Sequence, residues 1–77
     1  MNAPIRNTER AAMTAHTFDA VADAAGIAEA YARTAAEFAA IGDAKGLAYA
    51  LRCATSAILN ATEIAMTLRP TGSRGGA

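Results

Sequence analysis

Few side chains in this sequence could take part in a chemical reaction. His16 is followed by Thr17 and Asp19, but no helical spacing turns these residues into a nucleophile with its base or a pair of catalytic carboxylates. Cys53 has only Arg52 beside it to activate its thiol. His16, Cys53 and the three methionines are too scattered to ligate zinc or copper by local spacing. We therefore predict that the protein is not an enzyme and holds no metal or other cofactor.

Binding is the chemistry that remains. An anionic nucleotide needs cationic donors and an aromatic surface for stacking, and the symmetry of an oligomer can double a sparse set of both at a subunit interface. The residues of these types are Tyr31, Arg33, Lys45, Tyr49 and Arg52. They also have ordinary structural roles open to them. Arg33 can pair with Glu29 or Glu37 at a spacing of four, and the tyrosines can fill a helix seam with their hydroxyls at its edge.

Length and charge limit the classes of protein to consider. The 77 residues make one small domain with a single cysteine, so no internal disulfide can compensate for a small core, and oligomerisation is the expected source of stability. Seven basic and seven acidic residues give no net charge, which argues against general binding to nucleic acids or anionic membranes. The single thiol and the lack of a secretory signal at the start lead us to expect a cytoplasmic protein.

Alanine dominates the composition. It accounts for 23 residues, whereas leucine, isoleucine, valine and phenylalanine together number twelve. Alanine has the highest intrinsic helix propensity, so the chain is predicted to be all-α. Because bulky apolar side chains are few, the helices must pack closely on small side chains to gain dispersion contacts.

The first part of the chain is predicted to be an arm followed by a long helix. Residues 1–7 contain a proline and are expected to be flexible, with Asn7 or Thr8 as the N-cap of a helix over about 8–41. Gly26 interrupts the helical pattern and could kink or break it, although a continuous helix is favoured.

The stretch "IGDAK" predicts a tight joint between two helices. Gly42 can adopt the left-handed conformation after the first helix, and Asp43 can cap the second, which is expected over about 43–68. Such a short joint makes the helices antiparallel. The hairpin domain is predicted to span 8–69, and 70–77 is predicted to be a disordered Gly/Ser-rich tail.

Apolar residues at alternating spacings of three and four define one seam on each helix, and the two seams are expected to face each other. The first seam consists of Ala24, Ile27, Tyr31, Thr34, Phe38 and Ile41. The second seam consists of Leu47, Leu51, Ala54, Ile58, Ala61, Ala65 and Leu68.

The second helix carries more apolar surface than this pairing would cover. Between residues 46 and 68 its only charges are Arg52 and Glu63, whereas the first helix carries a charged face. We therefore predict that the hairpin assembles into a four-helix dimer or a larger oligomer. The alternative is that an Ala/Thr-rich helix is tolerated at the surface. The expected interface residues are Tyr49, Cys53, Ser56, Leu59, Asn60, Ile64 and Met66.

Two stretches resemble known families. "YARTAAEFAAIGDAKGLAYAL", residues 31–51, looks like the junction between tetratricopeptide repeats, and this resemblance implies a helical hairpin. "KGLAYALRCATSAILNATEIA", residues 45–65, is similar to the second helix of small phage helical-hairpin proteins of the anti-CBASS and anti-Thoeris type. Those proteins sequester cyclic nucleotide immune signals, so the resemblance implies a nucleotide site between subunits.

The resulting prediction is a non-enzymatic, self-associating helical binding protein. Its principal function would be protein interaction or regulation, with a second copy of the chain and another protein as partners. The alternative function is sequestration of a small anionic nucleotide.

Overall fold

Two antiparallel helices make up the part of the chain that the structure describes, residues 3–68 of a computed structural model. Helix α1 runs from Ala3 to Ala40 and helix α2 from Ala44 to Met66, and together they confirm the predicted all-α helical hairpin. Gly26 lies within α1 without ending it. Side chains are described from residue 7 onward, and the predictions for residues 1–2 and 69–77 lie outside the described part.

The start of α1 differs from the prediction. The helix begins at Ala3, ahead of the predicted start at about residue 8, and neither Asn7 nor Thr8 is a cap. Proline is tolerated in the first turn of a helix because its missing N–H would have no intrahelical acceptor there. Pro4 therefore marks the beginning of the helix.

The joint between the helices forms through local hydrogen bonds. Gly42 has φ +74°, as predicted, and its N–H donates to the Ala39 carbonyl at 3.1 Å, while the Asp43 N–H donates to the Phe38 carbonyl at 2.9 Å. These two bonds form a Schellman motif, which satisfies carbonyls that the helix end leaves free. The Asp43 carboxylate then accepts from the Gly46 N–H at 2.9 Å, so the predicted N-cap is also confirmed.

The core between the helices consists of small side chains. Within the described part, no large side chain is fully buried. The buried residues are Ala24, Ala28, Ala35, Ala50, Ala54 and Ala61. Buried or half-buried side chains recur at residues 24, 28, 31, 35 and 38 of α1, at residues 47, 50, 54, 57, 61 and 64 of α2, and at residue 68 just after α2.

The predicted seams are therefore wrong at four positions. Ile27, Ile41, Leu51 and Ile58 are 53%, 75%, 49% and 51% exposed. Next to three of them, Ala28 and Ala50 are buried and Ala57 is half-buried between the helices. Alanine lets two helix backbones approach more closely than branched side chains do, which increases dispersion contacts along the whole length. The bulkier side chains are consequently left outside.

The hairpin forms a single layer of helices. Its Cα atoms extend only 13 Å in the thinnest direction. Stable domains usually bury their apolar faces between two or more layers of secondary structure. Both broad sides of this layer are uncovered within the described part of the chain.

The close approach of the helices is expected to make Gly46 intolerant of any side chain. A Cβ atom placed there would lie 2.5, 2.6 and 2.8 Å from Cδ1, Cε1 and Cγ of Phe38. Gly46→Ala should therefore force the ring or the helices to shift and lower the free energy of unfolding by about 1–3 kcal/mol. Urea denaturation followed by circular dichroism measures this change.

Gly26→Ala is the matched control, because a Cβ atom at Gly26 meets no other atom within 4 Å. The same substitution should here stabilise the protein by about 1 kcal/mol through helix propensity. Equal effects of the two substitutions would contradict the close contact between Gly46 and Phe38.

Candidate functional site

An apolar stripe runs along the solvent-facing side of α2. Leu51, Ile58, Leu59 and Met66 are 49%, 51%, 58% and 56% exposed, and their spacing of seven or eight residues places them on one side of the helix. Thr55 and Thr62 lie between them, and both are exposed. We call these six residues the outer stripe.

Thr62 adds to the apolar character of the outer stripe. Its hydroxyl donates to the Ile58 carbonyl of its own helix at 2.9 Å. A threonine bonded in this way satisfies its hydroxyl within its own helix. Its methyl group then remains available for contact with an apolar partner.

The seven residues predicted for the oligomer interface lie on different sides of α2. Leu59 and Met66 belong to the outer stripe. Cys53 and Ile64 are half-buried. Tyr49, Ser56 and Asn60 are exposed on the other side of the helix.

Three of the predicted ligand-binding residues come close together on that other side. An open groove of about 440 Å³ lies between the helices and is lined by Ala24, Ile27, Tyr31, Cys53, Ser56, Ala57 and Asn60. The neighbouring Cys53 thiol raises the pKa of Tyr49 above its ordinary value of 10.0, by hydrogen bonding and by charge. Tyr31 raises this pKa further, whereas Arg52 lowers it. Arg52 and Cys53 are neighbours of Tyr49 on α2 at spacings of three and four, and Tyr31 of α1 lines the groove together with Cys53.

The other two predicted ligand-binding residues lie apart from this cluster. Arg33 Nη2 donates to Glu29 Oε2 at 3.2 Å, and both side chains are exposed, so Arg33 has the structural role that its spacing allows. Its position two residues after Tyr31 places it on the opposite side of α1. Lys45 is exposed in the first turn of α2, four residues before Tyr49 and seven before Arg52, on the same side of the helix.

Sequence reasoning missed four members of the outer stripe. The sequence pattern places Leu51 and Ile58 in the second seam and indicates no role for Thr55 and Thr62. The alternative heptad positions 50, 57 and 64 have the same spacing as positions 51, 58 and 65. The first set contains two alanines and Ile64, and the second contains Leu51, Ile58 and Ala65, so periodicity alone does not decide which set lies inside.

His16 is exposed, and residues 3–68 contain no group of three or more His, Cys, Asp or Glu side chains placed to hold a metal ion.

Neither described helix combines the length and the apolar character that crossing a lipid bilayer requires.

The comparisons with known proteins give no guide to the function. The chain matches no protein family, no curated protein and no solved structure.

Proposed function

We propose that this protein is a small non-enzymatic helical interaction module that acts as a homo-oligomer, with the outer stripe of α2 as its contact surface. One observation carries the proposal. The described core contains only alanines, while nine large apolar side chains are about half exposed or more. Four of the nine lie together on the outer stripe, and an exposed apolar patch of this kind is typical of an interaction surface.

The exposed area has the size that an interface needs. The chain exposes 5755 Å², whereas a compact monomer of 7.8 kDa exposes roughly 4,400 Å². The excess is larger than the roughly 800 Å² that each partner contributes to a standard protein interface. Covering one side of the hairpin would bring the exposed area per chain toward that of a compact protein.

A second copy of the chain is the partner that this composition favours. The net charge of zero creates no overall repulsion between copies. The free thiol of Cys53 suits a reducing compartment such as the cytoplasm, where disulfides do not supply the missing stability. The assembled oligomer would then present its remaining surface to another protein.

Multi-angle light scattering at micromolar concentration tests the proposal. We expect a mass at least twice the 7.8 kDa of one chain. Circular dichroism on the same sample should show a helical protein. A folded, helical monomer at these concentrations would overturn the proposal.

Nucleotide binding is a second candidate function, and the cluster of Tyr31, Tyr49 and Arg52 favours it. Two aromatic rings beside a guanidinium suit a base and a phosphate. Within the described part of the chain, Arg52 makes no ion pair that would occupy it. A symmetric oligomer would double this set of groups.

A thermal-shift screen with cyclic di- and trinucleotides tests the second candidate. A ligand at a hundredfold excess over its dissociation constant stabilises the folded state by about 2.7 kcal/mol, which raises the melting temperature by several degrees. Arg52→Ala should remove this shift. No shift with any nucleotide of the panel would leave the interaction module as the proposed function.

A further inference from the structure

The outer stripe has the same pattern when it is followed in either direction. Its residues are separated by intervals of four, three, one, three and four positions. The residue types follow the same symmetry, because an apolar residue stands at each end, two apolar residues stand at the centre, and a threonine lies between. The members in order are Leu51, Thr55, Ile58, Leu59, Thr62 and Met66.

A symmetric pattern of this kind is what a two-fold contact between antiparallel helices needs. In an isologous interface, if residue i contacts residue j, then residue j also contacts residue i. With the axis between Ile58 and Leu59, each of these residues meets the other on the second copy. Leu51 then meets the partner's Met66, and Thr55 meets the partner's Thr62. Each residue of the stripe therefore finds a partner of matching character.

The charges beside the stripe suit the same arrangement. Arg52 lines a surface depression with Leu51, Thr55 and Leu59, and Glu63 lies eleven residues further along the helix. Eleven residues are close to three helical turns, so both charges border the stripe on the same side. Neither side chain forms an ion pair within residues 7–68.

In the antiparallel arrangement, the partner's Glu63 lies level with position 54, which is about 3 Å along the helix from Arg52. Two oppositely charged pairs form at the rim by symmetry. In a parallel two-fold dimer, this charged edge of one copy and that of its partner lie on opposite sides of the interface, so no pair between Arg52 and the partner's Glu63 forms.

We infer that two copies of this protein pair through the outer stripe, with their α2 helices antiparallel about a two-fold axis between Ile58 and Leu59. Arg52 pairs with the partner's Glu63 on either side of this axis. This inference rests on the proposed function and specifies the partner and the geometry of the same surface.

Charge reversal tests the pairing at the rim. Arg52→Glu and Glu63→Arg each place like charges together twice per dimer, and each should weaken dimerisation about tenfold. The double variant Arg52→Glu/Glu63→Arg should restore the wild-type dissociation constant, measured by analytical ultracentrifugation at low salt. In a parallel dimer, none of the three variants should change the dissociation constant, because the charged edges of the two copies lie on opposite sides of the interface.

Crosslinking tests the direction of the helices independently of charge. In a Cys53→Ser background, Leu51→Cys and Met66→Cys are made in separate chains. A short bismaleimide should crosslink the chains in an equimolar mixture of the two variants. A sample that contains only one of the variants should remain uncrosslinked. The distance along the axis between the two copies of position 51 is about 22 Å, which the reagent cannot span.

The outcomes separate this inference from the proposed function. If wild-type protein is a monomer by light scattering, both the proposed function and this inference are wrong. If it is a dimer that resists charge reversal and crosslinks through Leu51→Cys alone, self-association stands and the antiparallel arrangement is wrong.

Discussion

Replacing Ala50 with glutamate is expected to unfold the protein to a large extent at room temperature. Ala50 is 1% exposed, the lowest value in the core, and no charged side chain is buried among residues 7–68 to pair with a carboxylate there. Burying an unpaired charge costs several kcal/mol unless the structure opens. The total stability of a small domain is about 5–15 kcal/mol, so this cost is a large part of it. Thermal melting followed by circular dichroism, at one fixed protein concentration, measures the loss.

Ala36→Glu is the matched control for this prediction. Ala36 is an exposed alanine within α1, and the substitution changes charge and helix propensity in the same way. We expect its melting temperature to stay close to that of the wild type, because surface substitutions usually change stability by less than about 0.5 kcal/mol. If Ala50→Glu melted at the same temperature as Ala36→Glu, the alanine seam would be assigned to the wrong face of α2.

Replacing Ile58 with glutamate is expected to convert the oligomer into monomers. Ile58 lies at the centre of the outer stripe, and in a two-fold dimer the substitution would bring two carboxylates into an apolar contact. The cost of burying them should raise the dissociation constant by more than about a hundredfold. Sedimentation equilibrium over a range of concentrations measures this shift.

Ile27 offers an unusually close control. It is 53% exposed, compared with 51% for Ile58, but it lines the groove on the other side of the hairpin with Tyr31 and Cys53. Ile27→Glu removes the same side chain and adds the same charge, so it should leave the oligomer intact. Dissociation by Ile27→Glu and not by Ile58→Glu would place the interface at the groove.

The helices and their joint were predictable because local interactions determine them. An alanine-rich chain favours helix at nearly every position. Gly42 supplies the left-handed residue that ends α1, and Asp43 accepts a backbone hydrogen bond that begins α2. The start of α1 was predicted less well, because Pro4 is compatible both with a break and with a first turn. These features are determined by residues close in the sequence. Contacts between the two helices are needed only to stabilise the hairpin.

The sequence by itself therefore determined two helices, their antiparallel arrangement and an excess of apolar surface on α2. It did not determine which face of each helix is inside. Leu51 and Ala50 belong to two sets of positions with the same heptad spacing, rotated by only about 100° around the helix, and periodicity alone cannot choose between them. The tertiary structure chose the alanines, because small side chains let the two backbones approach along their length. That choice leaves Leu51 and Ile58 outside. It also brings Tyr31 of α1 near Tyr49 and Cys53 of α2, and only the packing of the two helices creates this proximity.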